Sequence, residues 1–291
     1  MRFLVAIRSS TYSEPTLQIG SAVANAFSAD LSVVYVGDRP KELVASGVKL
    51  ASDALLNWDI NHPGVEVLRW AYGRLQDWGF IDSSIEQFDP TNLVQERDQI
   101  RVILPHVSGE KIRLIFREGD PVDQLRKETE YRDYILTIVG GGSRKRLTRD
   151  LIQFVDTSIL FVKNFDPDWN YKLLLCVDDS KATKRAVAFG ARVAQNFKAH
   201  VDLLTVSKTQ RFGRGYRGAA RWACDYMKRQ NIPCEHHFRT GDPVTVFTEF
   251  AGTDHIIVMG KSRMNPLRAW FAGTKPRETV LKAYGPVILV K

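Results

Sequence analysis

The chain has 291 residues and a hydrophobic content of 44%, which is longer than one typical domain and sufficient for two cores. Its apolar runs stay well below the roughly 20 residues that cross a bilayer, and residues 1–8 are too short for a signal sequence, so we expect a cytoplasmic protein without a membrane span. The net charge of +8 favours anionic partners, and three cysteines without ligand spacing argue against a disulfide framework.

The sequence repeats itself segment by segment. Apolar strands that end in polar turns alternate with helical patterns in both halves. The matching segments, first half before second, are 2–10 and 172–180, 14–27 and 182–197, 31–36 and 201–206, 116–122 and 238–244, 136–140 and 256–260, and 158–163 and 286–291. Ser13 and Ser180 are the predicted caps of the first helix in each half. A repeat of this length indicates a tandem domain duplication rather than a solenoid.

The alternation of strands and helices predicts two doubly wound α/β domains with mostly parallel sheets. We expect them to cover residues 1–166 and 167–291, with an insertion over about 40–110 in the first. In such sheets ligands bind beyond the carboxyl ends of the strands, where the strand order reverses. The turns after Val177, Val206 and Met259 are therefore the places to look for a site.

The stretch from Gly260 to Thr274 predicts an anion site. A short apolar strand ends at Gly260, and nine residues separate Arg263 from Gly273 and Thr274. Backbone N–H groups at a junction between a strand, a turn and a helix can receive an anion, and glycine lets the main chain approach it. Four basic residues lie within this stretch or directly after it and surround the predicted anion site: Lys261, Arg263, Arg268 and Lys275.

The first half lacks these features. Arg8 stands where the second half has Asp178, and 10 positions separate Gly140 from Asp150 whereas 18 separate Gly260 from Glu278. The first half also carries a tryptophan-rich amphipathic segment over residues 56–78 and a predicted strand over 101–104. We expect its tryptophans, Trp58, Trp70 and Trp78, to pack against the other half or a partner.

These motifs together resemble the universal stress protein family, in a tandem form that covers nearly the whole chain apart from the insertion. The family's signature residues correspond here to Asp178, Gly241-Asp242-Pro243, Gly260, Gly273-Thr274 and the closing strand 286–290. The resemblance implies two five-stranded domains of the adenine nucleotide α-hydrolase type. It also implies that the second domain binds an adenine nucleotide, ATP or AMP, and leaves open whether magnesium accompanies it.

The resemblance also assigns roles by position. It implies that Val177, Asp178 and Val206 border the base or ribose, that Gly241 lies nearby, and that the loop residues contact the phosphates. Those loop residues are Gly260, Arg263, Gly273, Thr274 and Lys275. Arg263 replaces the second signature glycine, adding a Cβ and a cation, and Pro266 removes an N–H donor from the same loop.

Two other functions remain open at this stage. One is a nucleotide-free interaction module whose tryptophan-rich insertion docks a protein partner, and the other, less favoured, is a nucleic-acid-associated stress factor. The basic stretches 144–149 and 211–218 motivate the latter. We expect ATP hydrolysis to be slow or absent, because no general base is evident. The family resemblance also implies that the last strands, 158–163 and 286–291, pair within one chain and so satisfy their edge groups, and two chains could associate into a homodimer.

A metal site is not predicted. Cys234, His236 and His237 lie close together in the sequence. Adjacent residues of a strand point to opposite faces, so both imidazoles cannot easily bind one ion.

Overall fold

A computed structural model describes residues 1–37, 49, 51, 53, 62–82, 84, 85, 93–96, 99–141, 145–261 and 274–291. The chain divides into two compact units. Unit 1 comprises Met1–Gly140 with Phe154–Asp156, and unit 2 comprises Gly141–Gln153 with Thr157–Lys291. The domain limits 1–166 and 167–291 were inferred from the sequence repeat, whereas the two units are defined by packing contacts. These limits therefore stay a prediction.

Unit 1 is a sheet flanked by helices. Its described elements are β1 (Arg2–Ile7), α1 (Ser10–Ala26), β2 (Asp30–Gly37), α2 (Pro63–Asp77), β3 (Leu93–Glu96), β4 (Gln99–Pro105), β5 (Lys111–Glu118), α3 (Pro121–Tyr131) and β6 (Leu136–Gly140). The strand order is β6-β1-β2-β5-β4-β3. The strands from β6 to β5 are parallel, and β4 and β3 extend the sheet antiparallel.

Unit 2 repeats the plan. Its described elements are α4 (Lys145–Phe154, whose last residue belongs to unit 1), β7 (Ser158–Val162), β8 (Lys172–Cys176), α5 (Lys181–Phe197), β9 (Val201–Ser207), α6 (Arg214–Arg229), β10 (Cys234–Thr240), α7 (Pro243–Ala251), β11 (His255–Gly260), α8 (Thr274–Lys282) and β12 (Val287–Val290). The order is β10-β9-β8-β11-β12-β7. The strands from β10 to β12 are parallel, which confirms the predicted fold class, and only β7 runs antiparallel.

The predicted pairing of the two closing strands is confirmed. β7 and β12 pair antiparallel around the partners Leu160 and Ile288, and every residue of both strands is buried. The backbone N–H of Lys291 also donates to the Ser158 hydroxyl at 3.2 Å. Unit 2 therefore takes its last strand from the first repeat.

The N-caps of α1 and α5 were both predicted, and one of the two predictions is confirmed. Ser180 caps α5 by accepting a hydrogen bond from the Thr183 N–H, as expected. The cap of α1 is Ser9, not Ser13. Because α1 begins at Ser10, Ser13 lies in its first turn, and its buried hydroxyl instead accepts from the backbone N–H groups of Arg8 and Ser9, at 3.0 and 3.3 Å.

The two Gly-Asp-Pro segments have the same local structure. Gly119 and Gly241 adopt φ of +126° and +149°, a region that favours glycine. Each following aspartate caps a helix whose first residue is proline. Hydrogen bonds from the backbone and hydroxyl of Thr245 lower the pKa of Asp242, whose side chain is exposed. These segments thus terminate a strand and start a helix.

The described part of the predicted insertion contains both shared and additional structure. α2 occupies the same place in chain order as α6, whereas β3 and β4 have no counterpart in unit 2. β4 contains the strand predicted over 101–104. Trp70 and Trp78 are half-buried, and Trp58 lies outside the described residues. Within the described residues, none of the helices has both the length and the apolar character needed to span a bilayer.

Candidate functional site

The strand order of unit 2 reverses between β8 and β11. From β8 the chain moves outward to β9 and β10, and then returns to form β11 on the other side of β8. Leu175 and Val258 are register partners, so Asp178, three residues beyond Leu175, and Gly260, two residues beyond Val258, come to the same edge of the sheet. Reversal points of this kind are the usual ligand positions of doubly wound sheets.

Asp178 is held in a hydrogen-bonded turn. Its Oδ1 accepts from the Ser180 N–H at 3.0 Å and from the Thr183 hydroxyl at 2.5 Å, and its own N–H donates to the Thr183 oxygen at 3.2 Å. Thr183 is buried, whereas Asp178 is exposed. Its second carboxylate oxygen, Oδ2, makes no hydrogen bond within the described residues. The turn therefore presents one fixed acceptor at the strand edge.

Unit 1 keeps the turn but reverses its charge. The Arg8 N–H donates to the Ser13 hydroxyl at 3.0 Å, just as the Asp178 N–H donates to Thr183. Both hydroxyl residues lie five positions after the strand-end residue. Thr183 is a site residue that the sequence analysis missed, and its alignment with Ser13 was the signal that could have indicated it.

Gly260 is required by packing. A Cβ at this position would lie 2.6 Å from the carbonyl carbon, the carbonyl oxygen and the Cβ of Ala182, near the start of α5. At the matching position in unit 1, a Cβ on Gly140 would meet, among the described atoms, only the Thr16 hydroxyl oxygen, at 3.5 Å. The first reason for glycine at the end of β11 is thus the close approach of α5.

The other predicted residues of the adenosine side lie on neighbouring strand ends. Val177 and Val206 are buried, with 1% and 6% of their surfaces exposed, so they form the apolar floor beneath this edge. The Val177 N–H donates to the Leu204 carbonyl and the Gly241 N–H to the Ser207 carbonyl, both at 2.9 Å. These bonds tie the turns to the sheet.

The predicted phosphate loop falls largely outside the described residues. Arg263 and Gly273 lie there, as do Pro266 and Arg268. Of the remaining residues, Thr274 and Lys275 are the first two of α8. The backbone of Lys261 donates to the Val290 carbonyl at 2.6 Å and accepts from Arg185 Nη2 at 3.3 Å. The described structure therefore brings Asp178 and Gly260 to one edge and leaves the position of the phosphate contacts a prediction.

A basic cavity of about 640 Å³ opens between α4 and α8. Five cationic residues line it, with Glu278 and Leu281: Lys145, Arg146, Arg149, Arg277 and Lys282. The Arg277 Nε atom is buried without a hydrogen-bond partner among the described atoms. Among the described residues, none of those predicted to hold the nucleotide lines this cavity.

Unit 2 is a doubly wound α/β unit whose strand-order reversal carries the features expected of a ligand edge. Comparisons with known proteins place this unit in a family context. Residues 170–291 match the model of the universal stress protein family. A search of curated protein sequences finds no match.

Two solved structures share the fold of the whole chain. A universal stress protein from Archaeoglobus fulgidus DSM 4304 has a TM-score of 0.59 and 16% identity, covering 100% of this chain and 96% of that one. A protein of unknown function from Pseudomonas aeruginosa PAO1 has a TM-score of 0.63 and 13% identity, covering 100% of this chain and 92% of that one. At such identities the likeness concerns the fold. The match of residues 170–291 to the model of the universal stress protein family confirms the resemblance found in the sequence.

Proposed function

We propose that unit 2 binds an adenine nucleotide, ATP or AMP, at the carboxyl edge of β8 and β11. The observation that carries this proposal is the placement of Asp178 and Gly260 at the ends of these adjacent strands, where the strand order reverses. Asp178 accepts a hydrogen bond from the adenosine, above the floor formed by Val177 and Val206. Gly241 lies beside it at the end of β10.

In this proposal the phosphates lie toward the start of α8. Gly260, Gly273 and Thr274 provide backbone and hydroxyl donors, and the cations Arg263 and Lys275 complement the charge. The start of a helix favours anions, because its first N–H groups have no partner within the helix. The nucleotide is bound as a signal, in keeping with an expected hydrolysis that is slow or absent.

Unit 1 is proposed as a pseudo-site. Arg8 replaces the carboxylate at an otherwise equivalent turn, so a group that accepts hydrogen bonds is replaced by one that only donates. Its role in this proposal is assembly, and the first repeat, to which unit 1 belongs, also supplies β7 to unit 2.

Isothermal titration with ATP and with AMP, with and without magnesium, tests the proposal. Asp178→Asn keeps a carbonyl oxygen for the Ser180 and Thr183 hydrogen bonds while removing the charge. Losing a hydrogen bond to a charged group corresponds to a decrease in affinity of about 10-fold or more. The control is Asp179→Asn, a change of the same chemistry at the next exposed residue, which should leave affinity unchanged.

Gly273→Val tests the phosphate side, and we expect it to abolish binding while the protein stays folded. If the affinity is unchanged, the assigned phosphate position is wrong. If wild type gives no binding heat at millimolar ligand, the nucleotide role is wrong and the interaction module remains. Mass spectrometry of small molecules released from the purified protein identifies the nucleotide directly.

A further inference from the structure

Four potential metal ligands converge at the opposite end of the unit 2 strands. Asp202 and Glu235, the second residues of β9 and β10, are register partners, and His237 follows Glu235 by two positions on the same face. His200 directly precedes β9. Asp202 is 8% exposed, and its Oδ1 lies 2.9 Å from His237 Nε2 and 3.8 Å from His200 Nε2. Since Asp178 and Gly260 lie at the carboxyl ends of their strands, this cluster is separate from the proposed nucleotide edge.

We propose that Asp202, Glu235 and His237 form a Zn²⁺ site, with His200 as the fourth ligand. The ligand atoms of the first three residues all lie within 4.8 Å of one another. His200 lies outside this group, with its Nε2 3.8 Å from Asp202 Oδ1, and a rotation of its side chain toward the ion would complete the four-coordinate geometry that zinc adopts.

The distances fit a tetrahedral ion. With metal–ligand bonds of about 2.0–2.2 Å, the ligand atoms around tetrahedral zinc lie about 3.3–3.6 Å apart. Here the His237 Nε2 atom lies 2.9 Å from Asp202 Oδ1 and 3.8 Å from Glu235 Oε2. These two separations lie on either side of the tetrahedral value, and the third, between Asp202 and Glu235, is at most 4.8 Å, so side-chain rotations of about 1 Å would admit the ion. His237 then binds through Nε2 with its proton on Nδ1.

Asp202 is oriented by a buried histidine. Its Oδ2 lies 2.9 Å from His255 Nε2, and His255 Nδ1 lies 2.7 Å from the Asp254 carboxylate. Both nitrogens of this imidazole therefore face acceptor oxygens. Carboxylate–histidine pairs of this kind orient the ligands of metal sites.

The ligand set selects the metal. Imidazole nitrogen with carboxylate oxygen suits zinc and the neighbouring divalent transition metals, whereas magnesium and calcium prefer oxygen alone. Two carboxylates also balance the charge of a divalent cation. His236, the other imidazole on β10, bonds to the Thr205 hydroxyl and contacts the Phe238 ring, which places it on the opposite face.

Titration of the full chain with Zn²⁺, followed with a competing chelator dye, tests the site. We expect one ion to bind, and both Glu235→Gln and His237→Ala to lower the affinity by more than about 100-fold, because loss of an outer partner alone costs about 10–100-fold. His236→Ala is the matched control and should bind as wild type does. Glu235 is 68% exposed, so its replacement tests the site without disturbing the core.

Two further readouts make the result decisive. Zn²⁺ should raise the unfolding temperature of the wild type and not that of Glu235→Gln, because an ion that binds only the folded state stabilises it. Co²⁺ bound in place of Zn²⁺ should show visible bands without a sulfur charge-transfer band. Such a sulfur band would place the ion on Cys224 or Cys234 and overturn the proposal. It is equally overturned if no ion binds, or if His236→Ala weakens binding as much as His237→Ala does.

Discussion

Replacing Gly260 with alanine tests whether packing fixes this residue. The new Cβ would lie 2.6 Å from backbone atoms of Ala182, and α5 must move by about 1 Å to restore an ordinary carbon contact of about 3.5 Å. The contacting atoms of Ala182 belong mainly to its backbone, which cannot rotate away from the new Cβ as a flexible side chain can. Overpacking of this kind costs about 1–3 kcal/mol, which corresponds to about 2–12 °C in the unfolding temperature of a unit of this size.

The duplicated fold supplies the control. Gly140 ends β6 as Gly260 ends β11, but within the described structure its Cβ would meet only one side-chain oxygen, at 3.5 Å. Neither glycine has positive φ, so alanine strains neither backbone. Gly140→Ala should therefore be neutral or should stabilise the protein by about 0.4–1 kcal/mol, by restricting the unfolded chain.

Urea unfolding combined with hydrogen-exchange mass spectrometry measures the effect and locates it. We expect Gly260→Ala to lower the protection of β8, β11 and α5, while Gly140→Ala leaves the protection of β1 and β6 intact. Equal stability of the two variants would refute the close approach of α5 to β11. Reduced protection confined to unit 1 would refute it as well.

Three other predictions concern the ion pairs and a helix end. In unit 1, the buried carboxylate of Glu128 accepts two hydrogen bonds from Arg117, at 2.5 and 3.0 Å. Glu128→Ala leaves the buried Arg117 cation without this partner, so it should lower the free energy of unfolding in urea by about 3–5 kcal/mol. A decrease below about 1 kcal/mol would contradict this. The Lys163 ammonium donates to three carbonyls at the end of α8. Lys163→Met should therefore lower the free energy of unfolding by about 1–2 kcal/mol in the same assay. An unchanged urea midpoint would contradict this prediction. Burial raises the pKa of Asp30, but hydrogen bonds from the Lys111 N–H and Arg113 outweigh it and lower this pKa. Its contribution is present above about pH 4 and is lost as the pH falls through the folded-state pKa, so the advantage of the wild type over Asp30→Asn should shrink between about pH 5 and 3 in thermal unfolding.

Much of the fold was predictable because each strand has its own apolar pattern. The segments 2–10 and 172–180 indicated two copies of one unit, and the similar closing strands predicted the β7–β12 pair. Other features depend on three-dimensional packing. The membership of β7 in unit 2 was not predicted, because the domain limit at residue 166 follows the sequence repeat whereas the units follow packing. β3 (Leu93–Glu96) is short and includes polar residues, so its sequence alone did not predict a strand.

The site was predictable where a residue's role follows from its position at a strand end, as for Asp178. Thr183 was missed because its role depends on α5 turning back toward the strand. The residues of the proposed metal site were missed for a related reason. Asp202 and His237 are far apart in sequence and are brought together by strand register. The side chains of the adjacent residues His236 and His237, by contrast, point to opposite faces of the sheet.

The exchange of β7 has a consequence for any attempt to isolate the second repeat. Ser158 and Lys291, which are hydrogen-bonded, are 133 positions apart. A fragment starting near residue 167 would therefore keep β11 on one side of β12 but lack β7 on the other. The four apolar residues Val287–Val290 would then form an open edge that invites another strand. Such a fragment should self-associate through this edge, and supplying residues 157–163 as a separate peptide should return it to a monomer.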